Sequence, residues 1–133
     1  MPSPTHESLI RSYADAFNCG DLEGLCALFD PSAQIYGVLG WGGLDKAKPI
    51  WQMLMTSFKI NLEIAGLISE EDAMAVRFIE RGLFAAPFRD IQPTGKTYQV
   101  LAMEWFELQG DRFIRRWGAR DSAAIYRQLG IPL

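Results

Sequence analysis

Thr97-Tyr98-Gln99-Val100-Leu101-Ala102-Met103-Glu104-Trp105-Phe106-Glu107-Leu108 is followed by Gln109-Gly110-Asp111 and then by Arg112-Phe113-Ile114-Arg115-Arg116-Trp117-Gly118-Ala119. Two runs dense in aromatic and aliphatic residues, joined by a short polar segment with a glycine, form a β-hairpin. The pattern extends upstream: residues 73–84 read as a strand, Ser69-Glu70-Glu71-Asp72 as a polar turn, and residues 60–68 as the strand before it. Residues 85–95, with Pro87, Pro93 and Gly95, form a loop. Downstream, Asp121-Ser122 can cap a short helix over residues 123–128, which Gly130 and Pro132 stop.

The first part of the chain has helical spacing instead. Leu9, Ile10, Tyr13, Ala16 and Phe17 recur at steps of three and four behind Ser3-Pro4, an N-cap followed by proline. Gly20 stops this helix, and Asp21 caps a second, short one carrying Leu22, Leu25, Leu28 and Phe29 that ends before Asp30-Pro31. Residues 34–39 read as a short strand, and Gly37, Gly40, Gly42 and Gly43 make a loop around Trp41. A third helix over residues 45–58 presents Ile50, Trp51, Leu54, Met55 and Phe58, with Pro49 arguing for a start later than Asp45. Helices first and antiparallel strands after give an α+β fold, with helices packed on one face of a sheet.

At 133 residues, 49% apolar and 22% charged, the whole chain, residues 1–133, reads as one domain with its own core. No run approaches the ~18 apolar residues of a membrane span, and the opening residues show no secretory signal. A net charge of −3 argues against a nucleic-acid binder. His6 is the single histidine, so a Ser-His-Asp triad, a Cys-His pair and a His-rich zinc site are all excluded unless His6 folds back. Carboxylates are therefore the expected acid and base. Gly40-Trp41-Gly42-Gly43 lacks the lysine–hydroxyl ending of a phosphate loop, and no metal-ligand cluster appears. Cys19 and Cys26 are not in CxxC spacing and read as reduced thiols of a cytoplasmic protein.

Alternation sorts the strand residues into faces. Tyr98, Val100, Ala102, Glu104 and Phe106 share one face; Gln99, Leu101, Met103 and Trp105 share the other. Met74, Val76, Phe78 and Glu80 oppose Ala75, Arg77, Ile79 and Arg81. Phe113, Arg115, Trp117 and Ala119 share a face that Asp121 continues if no bulge intervenes, against Ile114, Arg116, Gly118 and Arg120. Both faces mix apolar and charged groups, as in a strongly curved sheet with a partly polar pocket on one side and a partner on the other.

Ala16-Phe17-Asn18-Cys19-Gly20-Asp21-Leu22 with Leu25-Cys26-Ala27-Leu28-Phe29 resembles the opening of nuclear transport factor 2-like domains. Val76-Arg77-Phe78, Gly82, Pro93-Thr94-Gly95-Lys96, Arg115-Arg116-Trp117, Asp121 and Gln128-Leu129-Gly130 resemble the SnoaL-like polyketide (ester) cyclases within that superfamily. The resemblance implies a cone of helices on a curved antiparallel or mixed sheet, a pocket without metal or organic cofactor, and a homodimer or higher homo-oligomer formed through the sheet. It also implies that Asp121 is the acid–base of an intramolecular aldol closure. One position departs: family members often carry a histidine two residues after the glycine matching Gly82, and here Phe84 stands there.

Asp121 is accordingly the expected catalytic residue, with an N-cap as its bland role. Arg115 and Trp117, on its face by parity, are expected to hold a substrate oxygen and supply an apolar wall. Arg77 and Glu104 are expected to pair across the sheet, as pocket polarity or as a structural ion pair, with Glu80 a weaker candidate. Tyr13, Tyr36, Trp41 and Trp51 fall at the implied mouth, and Trp41 is the aromatic most expected to face a ligand. The partner so described is a small apolar or aromatic carbonyl compound, with no nucleic acid and no membrane. Alternatives are an isomerase, dehydratase or epoxide hydrolase on the same fold, or a non-catalytic ligand binder. A further one is an association module, marked by a cone with no cavity above ~100 Å³, since ligand pockets run ~300–1,000 Å³.

Overall fold

In the computed structural model, which describes residues 4–37 and 39–132, the hairpin that opens the sequence reading is β5 (Thr97–Gln109) and β6 (Arg112–Arg120). It lies inside a six-stranded sheet with β1 (Phe29–Gly37), β2 (Gly40–Gly42), β3 (Asn61–Glu70) and β4 (Ala73–Leu83), in the order β2-β1-β6-β5-β4-β3. Every pairing is antiparallel except β1 with β6, so the sheet is mixed. α1 (Pro4–Cys19), α2 (Leu22–Ala27) and α3 (Leu44–Ser57) precede the long strands, and α4 (Ser122–Leu129) closes the chain. Helices pack on the concave face of a curved sheet, the α+β arrangement expected from the sequence. The Ser3 cap lies outside the described residues.

Burial follows the alternation. Along β5, Tyr98, Val100, Ala102, Glu104, Phe106 and Leu108 are buried, and the residues between them are exposed or half-exposed. Tyr13 brings α1 onto this face inside a cluster of Phe17, Phe29, Phe78, Phe106 and Phe113, with ring centroids 5.1–6.3 Å from its own. Each such ring withdrawn from water contributes roughly 1.5–3 kcal/mol. Asp21 caps α2 through the Gly24 N–H at 2.9 Å, and Gly130, at φ 75°, ends α4 in the left-handed conformation that glycine adopts without strain.

Four local expectations are corrected. α2 stops at Ala27, and Phe29 already pairs with Phe113, so β1 begins before Asp30-Pro31; the ladder skips from Phe29 to Gln34, which is where Pro31, having no N–H, is tolerated. The glycine loop contains a strand, β2, folded back on Ile35–Gly37. α3 starts at Leu44 despite Pro49, because Pro49 and Asp45 both face solvent and water can serve the carbonyl that the proline leaves without a donor. In β6 the register jumps between Glu107↔Arg115 and Leu108↔Phe113, so Ile114 is the extra residue of a bulge. The bulge puts Phe113 on the same inward face as Arg116, Gly118 and Arg120, and sends Arg115 and Trp117 to the convex side.

Candidate functional site

The inward face of the sheet is apolar except at a few positions, and these carry two matching clusters. In the first, Tyr98 Oη and Arg120 Nη2 both donate to Glu80 Oε2, each at 2.5 Å. In the second, Tyr13 Oη and Arg116 Nε both donate to Glu104 Oε1, each at 2.7 Å. Both carboxylates are buried. Each cluster takes its glutamate and its arginine from different strands, so only the folded sheet assembles it.

Two glycines make room for these clusters. A Cβ on Gly82 would stand 2.2 Å from the Tyr98 ring and 2.4 Å from the Phe58 carbonyl oxygen; the bare backbone lets Tyr98 lie across β4 and reach Glu80. A Cβ on Gly118 would stand 2.8 Å from Arg116 Cζ and Nη2, so the guanidinium lies flat over this glycine and turns its Nε to Glu104. Arg116 Nη1 also donates to the Tyr36 carbonyl at 3.2 Å, tying the cluster to β1.

Burial, and then the nearby glutamate, push the Tyr98 hydroxyl above its ordinary pKa, with Arg120 opposing. Tyr13 is likewise raised well above its ordinary value, by burial first; Arg116 opposes and Glu104 reinforces the shift. Both tyrosines are therefore hydrogen-bond donors at neutral pH. Burial works against the Arg116 charge, but Glu104 and then Tyr13 outweigh it and hold the guanidinium above its ordinary value.

Glu80 and Arg120 of the first cluster and all three residues of the second line one narrow cavity of about 80 Å³, whose walls include Phe17, Trp51, Leu54 and Leu62 and whose floor includes Ala102 and Gly118. Lys46 lies at its rim and donates to the Leu39 and Trp41 carbonyls at 2.7 and 3.1 Å. This volume is below the ~300–1,000 Å³ of ligand pockets. The cone is largely filled by its own side chains and admits a small group or the reacting end of a ligand, not the whole of a mid-sized compound. Among the described residues no group of three or more His, Cys, Asp or Glu is placed to hold a metal ion.

The expected site residues divide. Tyr13, Trp51 and Glu104 line the cavity. Asp121 does not: it follows the last residue of β6, is exposed, and accepts the Ala124 N–H at 2.9 Å as the N-cap of α4. The inward position belongs to its neighbour Arg120. Arg115 is on the convex face, paired with Glu107 at 2.6 Å. Trp117 also faces outward, opposite Trp105 and packed on Trp41, with Tyr36 against Trp41 in turn. Tyr36 and Trp41 are exposed, and the Trp41 ring does not line the cavity. Arg77 does not pair with Glu104; it stands opposite Met103 on the convex face and donates to the Ala65 carbonyl at 3.0 Å. Phe84 is fully buried against Phe58, so the position where the resemblance led one to expect a histidine points into the core.

Sequence reasoning missed Arg116, Arg120 and Tyr98 and ranked Glu80 low. A signal was present. Met74-Val76-Phe78-Glu80 and Tyr98-Val100-Ala102-Glu104-Phe106 are apolar faces each interrupted by one carboxylate, and a lone carboxylate on a buried face requires partners.

A family model described as SnoaL-like polyketide cyclase matches residues 7–129. Among solved structures, IdmH from Streptomyces antibioticus, named as a candidate polyketide cyclase, is 22% identical with a TM-score of 0.81; the match covers 97% of this chain and 100% of that one. AclR from Streptomyces galilaeus, named as a candidate hydroxylase, is 20% identical with a TM-score of 0.85 over 93% of this chain and 80% of its own. A protein of ketosteroid isomerase-like fold from Catenulispora acidiphila, solved with trimethylamine, is 13% identical with a TM-score of 0.79, covering 98% and 96%. At these identities the likeness establishes the fold. No curated protein matches the sequence.

Proposed function

The chain belongs to the SnoaL-like polyketide cyclase family, and from that premise we propose that it performs cofactor-free acid–base chemistry of the intramolecular aldol type on an apolar carbonyl compound, with Glu80 as base in place of Asp121. One observation carries this reading: Arg120 lines the cavity, and its Nε–H is buried without an acceptor among the described residues while its Nη2 holds Glu80. A buried N–H with no partner costs about 1–3 kcal/mol. A carbonyl oxygen of the ligand would satisfy it.

The carboxylate and the unpaired donor then divide the work. Glu80 takes a proton from the carbon next to a carbonyl, and the electron pair moves onto the oxygen that Arg120 Nε–H holds. The enolate carbon attacks a second carbonyl carbon of the same molecule; the new C–C bond forms as that C=O π bond breaks. The resulting alkoxide takes back the proton held by Glu80, so no atom is gained or lost. Donors fixed in an apolar, water-poor site stabilise such charge more than they would in water. Free Cys19 and Cys26 support a reducing, cytoplasmic setting.

The test is proton–deuterium exchange, followed by NMR, at the carbons next to the carbonyl in a panel of ketones. Wild-type protein is expected to accelerate exchange, and Glu80→Gln to lose ~100-fold or more of that acceleration. Exchange by Glu80→Gln equal to wild type sinks the assignment.

A second reading is favoured by the cavity volume, which falls in the range expected of an association module. Leu101, Met103, Trp105 and Ile68 are exposed on the convex face, and a second copy of the chain docked there would cover them. Sedimentation at several concentrations separates the two: a stable dimer combined with no ketone binding supports the module.

A further inference from the structure

The aldol reading leaves the Tyr13–Glu104–Arg116 cluster without a task, although it lines the same cavity as Glu80 and Arg120. A merely structural ion pair in a core gains little over well-packed apolar residues of similar volume. This one is elaborate: it uses a tyrosine from α1, a carboxylate from β5 and an arginine from β6, and it requires a glycine at 118.

The register shows what the arrangement frames. Arg116 and Arg120 are on one face of β6, four residues and ~13 Å of strand apart. Gly118, opposite Glu104, lies between them, and Ala102 stands opposite Arg120. Gly118 and Ala102, both small, thus form the floor, with one arginine–glutamate pair at each side. Arg116 commits Nε to Glu104 and Nη1 to Tyr36. Its Nη2 lies where a Gly118 side chain would have stood, on that floor.

We propose that Arg116 is a specificity-determining residue: spread over Gly118, it donates to a second oxygen of the ligand, while Glu104 and Tyr13 are positioning residues that hold the guanidinium in that attitude. The inference rests on reading Glu80–Arg120 as the first carbonyl station. It narrows the ligand in three respects. The ligand carries two carbonyl oxygens, one for each arginine. It is neutral, because each guanidinium is already matched by its own carboxylate and an added anion would be buried without a counter-charge. It is slender and unbranched where it passes between the stations, because a cavity of about 80 Å³ is roughly half the volume that admits a benzene ring.

The experiment measures binding by the fluorescence of Trp51, which lines the cavity, and α-proton exchange by NMR in parallel. Three probes of similar length are compared: acetonylacetone with two carbonyls, methyl butyl ketone with one, and levulinate with a carbonyl and a carboxylate. Wild type is expected to bind the diketone at least ~10-fold more tightly than either of the others. Gly118→Ala, which displaces the guanidinium and keeps its charge, is expected to bring the diketone-to-monoketone ratio close to one. Arg116→Gln combined with Glu104→Gln does the same without leaving an unpaired buried charge. Trp51→Phe serves as the control that the signal arises in the cavity. Equal affinity of wild type for the diketone and the monoketone overturns the inference, as does a preference that survives both variants in cooperatively folding protein. The two proposals fail separately: preference without exchange removes Glu80 as base and keeps Arg116 as the station for a second oxygen, and exchange without preference keeps Glu80 as base and removes the role of Arg116.

Discussion

On the concave face Arg116 meets Glu104 at 2.7 Å, with side chains 14% and 6% exposed; one residue earlier on the same strand, on the convex face, Arg115 meets Glu107 at 2.6 Å, with side chains 52% and 32% exposed. Distance does not separate the two pairs. Burial does. The outer pair stands largely in water, where such contacts are worth ~0–1 kcal/mol. The inner pair has given up its hydration and recovers part of it through the Tyr13 hydroxyl and the Tyr36 carbonyl, in the space that Gly118 leaves open. The inner pairs border a cavity, and the outer pairs border the apolar surface of Leu101, Met103 and Trp105. One sheet therefore presents the same residue types as site machinery on one face and as solvated edging on the other.

The largest expected effect breaks the comparison directly. Glu104→Ala leaves Arg116 charged and buried with no carboxylate, and should cost ~3–5 kcal/mol in urea unfolding. Glu107→Ala, the same change on the convex face, should cost no more than ~1 kcal/mol. Equal losses for the two variants would show that the inner cluster is as well solvated as the outer one, and the distinction between the faces would collapse.

The pH dependence sharpens the same contrast. Tyr98 and Tyr13 are raised by burial, so below the ordinary tyrosine value of ~10 their contribution to stability is fully present. Above that value the unfolded chain loses those protons while the folded chain keeps them, and stability falls as pH rises. Urea midpoints between pH 8 and 11 should decline, and Tyr98→Phe should flatten the decline. On the convex face the sign reverses. The Arg115 hydrogen bond lowers Glu107, with burial opposing and the Trp105 N–H reinforcing it. Its contribution is present above the ordinary glutamate value and is lost as pH falls through the lowered one. An alkaline limb unchanged by Tyr98→Phe would place that hydroxyl in water.

How far the sequence foretold this depends on which physical rule was in force. Periodicity is local, so α1, α3, β4, β5 and the final helix were legible, and with them the α+β order. The convex and concave faces of β4 and β5 were correctly grouped by alternation. Which face was inside, and the parity of β6, were not legible, because one extra residue at Ile114 reverses alternation and a bulge leaves no compositional mark. Arg115 and Trp117 were expected in the site because they share the parity of Asp121, which caps α4 outside the cavity, and Arg116 and Arg120, on the opposite parity, were passed over for the same reason. Ion-pair partners such as Glu80 and Arg120, 40 residues apart, are set by strand order, which no local pattern carries.

Asp121 and Glu80 make the smallest and most discriminating comparison. Both are carboxylates near the end of β6: one caps a helix in solvent, and the other is buried beside Arg120. An N-cap aspartate replaced by alanine costs ~1 kcal/mol, and Asp121→Ala should show that loss in unfolding while leaving α-proton exchange at the wild-type rate. Glu80→Gln should do the opposite to exchange. The logic is geometric, because a base must come within hydrogen-bond reach of the proton that it removes, and the Asp121 side chain is occupied by the Ala124 N–H outside the cavity. If Asp121→Ala abolishes exchange in protein that still folds cooperatively, α4 must leave its cap during turnover and carry Asp121 to the cavity, and the division between the two faces would hold only for the resting molecule.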